Sequence, residues 1–215
     1  MTYEAGYQAV FLGTGDREHP ASNAIGTPTA PSPIPVDRLY SVFDKSTYTG
    51  VSLEGGANPT STNANPLLMD VTSNASPVIT GAGWYILLND ATHGVGEKVL
   101  AAALVLNKDV TYTTYAPALV TTSGTCGAGL GTGFVYSLNY STGANYFYGN
   151  TPNWNSGCSG LACREKAIGG GIPSGVVVTI TASGSTGLVG VGGGISTVPL
   201  ATGAQFNQLY WHEPY

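Results

Sequence analysis

The sequence predicts an all-β fold, namely a partial β-propeller of about two to three four-stranded blades with long loops rich in Gly, Pro and Asn. About ten short runs of β-branched and aromatic residues alternate with Gly and Pro turns, a pattern typical of strands. A repeat refines this prediction, because the strand at residues 39–42 (LYSV) resembles that at 135–138 (VYSL). Their offset of 96 residues is about twice the length of one blade. Sandwiches and barrels fit the strand count equally well, and the repeat favours the propeller.

The composition argues against several classes of protein. We expect residues 1–215 to form a single all-β domain without a separate second domain. Only 9% of residues are charged, and 13 tyrosines with many aliphatic residues can supply a core. The net charge of −5 and the lack of a basic stripe argue against a nucleic-acid partner. The longest apolar run, residues 99–106, is far shorter than the roughly 20 residues of a membrane helix, so no membrane span is predicted.

The first predicted element is a hairpin between residues 9–15 (AVFLGTG) and 37–44 (DRLYSVFD). The proline-rich stretch at residues 21–35 should connect them as an extended surface loop. A second polar surface loop is expected at residues 55–66 (GGANPTSTNANP).

The densest charge cluster of the chain follows the first strand, at residues 16–19 (DREH). We interpret it as structural, with Asp16, Arg17 and Arg38 forming an ion-pair knot that joins two strands. The alternative is a metal or ligand loop, but the cluster lacks the alternating Asp and Asn ligands of a calcium loop.

The middle of the chain contains further apolar runs. Residues 67–71 suit a short helix or strand, and residues 83–89 (GWYILLN) read as a buried strand in which Trp84 is a core anchor. His93 has no neighbouring ligand types, so we expect it at the surface. Residues 97–106 suit a strand that enters a hairpin with residues 110–115.

The remaining predicted strands lie toward the C-terminus. They cover residues 134–140, 176–181, 188–194 and 208–213, and residues 146–148 suit a further short strand. We predict a loop between residues 150 and 164.

The three cysteines are Cys126, Cys158 and Cys163, and their odd number leaves at least one outside an intramolecular pair. The CSGLAC spacing suggests a Cys158–Cys163 disulfide inside a loop. A bridge from Cys126 to either of the other two is the rival pairing. No histidine or second cysteine pair nearby supports a zinc site.

Several stretches together resemble the C-terminal propeller of the PilY family of type IV pilus tip and assembly proteins. The similar stretches, in the family's order, are residues 13–18 (GTGDRE), 37–40 (DRLY), 83–85 (GWY), 97–100 (EKVL), 113–117 (TTYAP), 136–138 (YSL), 142–143 (TG), 170–174 (GGIPS) and 210–213 (YWHE). The resemblance implies a non-enzymatic adhesion and assembly module, exported to the cell surface at the pilus tip. It also implies that the chain is the C-terminal half of a longer propeller.

The partners that follow from this resemblance are the upstream part of the same propeller or a neighbouring subunit, the minor pilins of the pilus tip, and an unidentified host or surface ligand. Family members can carry a calcium loop with alternating Asp and Asn, a pattern that this sequence lacks. We therefore predict no catalytic, cofactor-binding or metal-binding residue.

Two other functions remain alternatives. A quinoprotein-like propeller dehydrogenase shares the Thr-Gly hairpin ends, but this chain has no adjacent cysteine pair. A carbohydrate-binding β module could use Trp154 or Trp211 as a stacking platform. The three histidines are far apart in sequence and no Gly-x-Ser-x-Gly motif occurs, so no hydrolase site is predicted.

Overall fold

The computed structural model describes residues 2–4, 7–18, 36–44, 67–89, 93, 96–118, 129–146, 163–181 and 184–200. Within these residues, thirteen strands form three sheets and no α-helix occurs. The all-β prediction is confirmed. The loops predicted at residues 21–35 and 55–66, the strand predicted at 208–213, and most of the stretches at 146–148 and 150–164 lie outside the described residues.

Sheet A contains five strands in the order β1-β2-β3-β5-β4. Their bounds are Thr2–Glu4 (β1), Tyr7–Gly13 (β2), Arg38–Asp44 (β3), Leu68–Asp70 (β4) and Gly83–Leu87 (β5). The predicted first hairpin is confirmed, because β2 and β3 pair antiparallel from Gln8↔Asp44 to Gly13↔Leu39. Strand β4 pairs parallel with β5, so the stretch at residues 67–71 is a strand rather than a helix.

Sheet B has the order β10-β9-β8-β6, and β7 also pairs with β8. Its strands are Lys98–Val99 (β6), Leu104–Leu106 (β7), Asp109–Ala116 (β8), Thr132–Asn139 (β9) and Glu165–Gly170 (β10). The predicted hairpin is confirmed, with positive φ angles of 47° and 70° at Asn107 and Lys108 that suit a tight type I′ turn. The strand expected over residues 97–106 is interrupted after Val99, where the Leu100 carbonyl instead accepts a hydrogen bond from Arg17.

Sheet C is a three-stranded meander of Val177–Thr181 (β11), Gly184–Val191 (β12) and Gly194–Pro199 (β13). The strand predicted at residues 188–194 is confirmed as far as Val191, but its continuation to residue 194 is wrong. Gly192 and Gly193 have φ angles of 57° and 80°, a conformation that glycine adopts readily, and they form the turn between β12 and β13.

Two apolar layers hold the sheets together, and sheet B lies between the other two. The first layer joins sheets A and B and includes Leu39, Trp84, Tyr112 and Leu138. The second joins sheets B and C through Val135, Val189, Val198 and Leu200. Strand β9 contributes to both layers because side chains alternate along a strand: Phe134, Tyr136 and Leu138 face sheet A, and Val135 faces sheet C. The sheets therefore stack in the order A, B, C.

Candidate functional site

A buried histidine bridges two carboxylates beside the central sheet. His93 Nδ1 lies 2.7 Å from Glu97 Oε2, and His93 Nε2 lies 2.9 Å from Glu165 Oε1. The histidine side chain is only 6% exposed, so the predicted surface position is wrong. Since both ring nitrogens face carboxylates, both donate, and the ring is an imidazolium.

Opposing effects set the pKa of His93. Burial alone lowers this pKa, but the hydrogen bonds to Glu165 and Glu97 outweigh it and raise the pKa from 6.5 to about 10. The ring is therefore charged at neutral pH. It has no free lone pair with which to accept a proton, so in this arrangement His93 clamps two carboxylates and is not poised as a general base.

The two carboxylates have further partners. Thr114 Oγ1 donates to Glu97 Oε1, and the buried Tyr136 side chain lies close enough to Glu97 and Glu165 for both to act on its pKa. Burial, with the charges of Glu97 and Glu165, raises the pKa of Tyr136 well above its usual value. We call His93, Glu97, Thr114, Tyr136 and Glu165 the His93 cluster.

Arg164 connects the His93 cluster to sheet A. Its guanidinium Nη1 donates to the carbonyl oxygens of Val71 at 2.7 Å and Thr72 at 3.1 Å, and Nη2 donates to the Asn74 carbonyl. Burial lowers the pKa of Arg164, and the charge of Glu165 opposes that shift. Arg164 thus ties the start of β10 to the turn that follows β4 of sheet A, while the adjacent Glu165 belongs to sheet B and binds His93.

A pocket of about 250 Å³ opens beside the cluster. The His93 ring stacks on Phe134, with centroids 3.8 Å apart and ring planes 22° apart. The pocket is lined by His93, Ala116, Pro117, Ala118, Gly131, Thr132 and Phe134. The pocket wall therefore consists of aromatic rings, methyl groups and backbone. The two ring nitrogens of His93 remain bound to Glu97 and Glu165.

Two more ionisable residues are buried that sequence reasoning did not single out. Lys98 is fully buried, its Nζ has no hydrogen-bond partner, and burial lowers its pKa against the charges of Asp37 and Asp16. Burial also raises the pKa of Asp109 to about 7, although Ser137 Oγ donates to its Oδ1 at 2.8 Å. Lys98 directly follows Glu97 and Asp109 ends the polar NKD turn, so the local sequence gave no signal that either side chain would be buried.

The structure brings the predicted ion-pair residues to neighbouring strand ends, where Thr14 N donates to the Arg38 carbonyl at 2.9 Å. Arg17 Nη1 donates to the Leu100 carbonyl at 3.1 Å, which links this corner to sheet B. Arg38 lies over the Tyr85 ring, 5.6 Å from its centroid, and Asp16 Oδ1 accepts from the Glu18 amide. The ion-pair knot itself stays a prediction.

Cys163 is buried and disulfide-bonded. Cys158 and Cys126 lie outside the described residues, so the pairing stays a prediction.

Among the side chains that the structure describes, no group of three or more His, Cys, Asp and Glu could hold a metal ion. The same residues include no helix that is long and apolar enough to cross a membrane.

Comparisons with known proteins bear on the fold. No protein-family model matches the sequence, and no curated protein matches it. Among solved structures, the C-terminal domain of PilY1 from Pseudomonas aeruginosa is similar, with a TM-score of 0.52 and 15% sequence identity over 87% of this chain. The chain spans 40% of the length of that domain. At such low sequence identity, the structural similarity shows the fold alone. This similarity confirms the predicted fold: the chain has the all-β, partial-propeller fold of a PilY-like domain.

Proposed function

We propose that this chain is a non-enzymatic module of a type IV pilus tip, exported to the cell surface, where it acts in pilus assembly and attachment. The observation that carries the proposal is the shared fold with the PilY1 C-terminal domain over 87% of the chain. The partners that we propose are the minor pilins of the tip and a surface ligand.

One feature of the chain supports export, and a second supports a non-enzymatic role. Cys163 is disulfide-bonded, and stable disulfides are typical of oxidising compartments outside the cytosol. The buried ionisable groups of the His93 cluster serve one another as partners, which favours a rigid scaffold over a reactive centre.

The proposal is tested in cells that express the natural gene. An antibody against the chain should detect it in the sheared pilus fraction, and deletion of the gene should reduce surface pili and surface attachment together. The matched control is a strain that lacks the major pilin, in which the chain should disappear from the sheared fraction. A chain that stays in the cytosolic fraction, or a deletion strain with normal pili and attachment, would refute the proposal.

A further inference from the structure

The pocket beside the His93 cluster has a rigid aromatic wall. The His93 ring stacks on Phe134, with the ring centroids 3.8 Å apart, and both residues line the pocket. Glu97 and Glu165 hold the two nitrogens of the His93 ring at 2.7 Å and 2.9 Å, so the ring cannot turn without breaking both hydrogen bonds. The cluster therefore fixes this wall before a ligand arrives, which lowers the entropic cost of binding.

The rest of the pocket wall is backbone and small side chains. The ladder between β8 and β9 ends at the pair Ala116↔Thr132, so the backbone of Ala118 and Gly131 lies beyond the last paired residues. Gly131 has a φ of 64°, and a Cβ at this position would lie 2.6 Å from the carbonyl oxygen of Ala116. A side chain is thus excluded there, and the backbone borders the pocket directly. With the Thr132 hydroxyl, these backbone groups place hydrogen-bond donors and acceptors near the aromatic wall.

The charges around the pocket favour an uncharged ligand. The His93 imidazolium repels a cation. An anion would gain little from the same ring, because the carboxylates of Glu97 and Glu165 already bind it. His93 is the only ionisable residue that lines the pocket. A charged ligand would therefore lose its water without gaining a counter-ion, which is costly.

The volume of the pocket limits the ligand to about one ring. Pockets for drug-sized ligands measure roughly 300–1,000 Å³, whereas this pocket measures about 250 Å³. An aromatic hydrocarbon would cover the backbone of Ala118 and Gly131 without bonding to it, which costs free energy. A sugar ring suits both parts of the wall, because its C–H face packs on aromatic rings and its hydroxyl groups form hydrogen bonds with backbone.

We propose that this pocket binds one neutral sugar residue of a surface glycan. The inference rests on the proposed role in attachment, since it names the chemical class of the surface ligand. The site differs from a stacking platform on Trp154 or Trp211, which lie outside the described residues. The His93 cluster acts as a support that holds the stacking ring in place and exchanges no proton with the sugar.

The test is an NMR titration of the purified chain with glucose, galactose, mannose and N-acetylglucosamine. At least one of these sugars should shift the His93 ring resonances in a saturable way. Thr132→Trp fills the pocket and should weaken that binding at least tenfold. Leu130→Trp is the matched control, because Leu130 is 73% exposed and does not line the pocket, and it should bind as the wild type does. Thermal melts check that both variants fold.

Several results would overturn the proposal. None of the four sugars would shift the His93 resonances, or Thr132→Trp would bind as tightly as the wild type. Loss of binding in Trp154→Ala or Trp211→Ala, with Thr132→Trp unaffected, would place the sugar on a tryptophan instead. Shifts with phenol and with no sugar would assign the pocket to an aromatic group.

The titration and the test of the proposed function fail separately. The titration uses the purified chain, so a pocket that binds no sugar leaves the role in pilus assembly and attachment untouched. Conversely, a chain that binds sugar in this pocket but stays in the cytosolic fraction would refute the proposed function while the sugar site stands.

Discussion

The indole Nε1 of Trp84 donates a 2.9 Å hydrogen bond to the backbone carbonyl oxygen of Tyr140. Trp84 lies on β5 of sheet A, and Tyr140 directly follows β9 of sheet B. The same carbonyl oxygen accepts a second bond, also of 2.9 Å, from Ser41 Oγ on β3. One oxygen of sheet B therefore satisfies two buried donors of sheet A, and the bond fixes how the two sheets meet.

Replacing Trp84 by Phe should destabilise the fold. The substitution keeps an aromatic ring in the layer but removes the donor and leaves unfilled volume, and we expect a loss of about 1–3 kcal/mol in the free energy of unfolding. Chemical denaturation followed by circular dichroism measures it. Ser41→Ala is the control for the second bond and should cost about 1 kcal/mol. An unchanged denaturation midpoint for Trp84→Phe would show that the indole does not hold the sheets together.

The strands that were predicted best are those whose sequence signal is local. Strands β2, β3, β8 and β9 are apolar and aromatic runs with clear turns, and each was expected near its observed bounds. Strand β10 (EKAIGG) was not predicted, because its short, glycine-rich sequence has no alternation to mark it. Residues 165–170 form a strand because they pair antiparallel with β9, and this pairing contains a β-bulge between Ala167 and Gly169.

The His93 cluster could not be predicted for a related reason. His93 and Glu97 are four residues apart, but the second carboxylate, Glu165, comes from another part of the chain. Pairing between β9 and β10 places Glu165 opposite Tyr136 and so completes the cluster. A histidine with a single nearby carboxylate gave no reason to expect burial, whereas the folded arrangement leaves its ring 6% exposed.

Asp109 should make the protein less stable as pH rises. Burial raises its pKa from 3.8 to about 7, so the folded protein keeps a proton that the unfolded chain releases between about pH 4 and pH 7. The stability from this group is full below pH 4 and is lost as pH rises through 7, at a rate of up to about 1.4 kcal/mol per pH unit. Urea denaturation from pH 4 to 8 should show that Asp109→Asn lacks this component. Asp44→Asn, at an exposed site, is the control; identical pH profiles for wild type and Asp109→Asn would contradict the prediction.

Arg38 should stabilise the corner where β2 ends and β3 begins. Its guanidinium lies over the Tyr85 ring, and Nη1 lies 3.4 Å from the Tyr40 hydroxyl. Arg38→Ala removes these contacts together with the predicted ion pair, and we expect a lower melting temperature, equivalent to about 1–3 kcal/mol. Arg38→Lys keeps the charge but not the planar group, so it should recover only part of the loss. An unchanged melting temperature for Arg38→Ala would show that Arg38 and its predicted ion pair do not stabilise this corner.

The disulfide of Cys163 should join it to Cys158. Closing so short a loop stabilises the fold by roughly 2 kcal/mol in the chain-entropy model. Mass spectrometry of a non-reduced digest should find these two cysteines in linked peptides, and Cys126→Ser should leave the link intact. A linked peptide that contains Cys126 would establish the rival pairing.

His93 should remain protonated well above the pH at which histidine usually titrates. Its hydrogen bonds to Glu165 and Glu97 hold the pKa near 10, against 6.5 for the unperturbed ring. Because the folded-state pKa is the higher one, the stability from this group is full below pH 6.5 and is lost as pH rises through 10. Glu165→Gln removes one charged acceptor, and it should lower the pKa of His93 and shift that loss to lower pH.

The measurement is a pH titration of the His93 ring by NMR in the wild type and in Glu165→Gln. Wild-type resonances should stay in the protonated position at pH 8, and the variant should begin to titrate at lower pH. Thr132→Val is a control, because Thr132 lines the adjacent pocket but is not part of the His93 cluster, and its titration should match that of the wild type. Removing the imidazolium altogether, as in His93→Gln, leaves the buried Glu97 carboxylate without its counter-charge and should cost about 3–5 kcal/mol. A wild-type ring that titrates near pH 6.5 would mean that the two carboxylates do not clamp it.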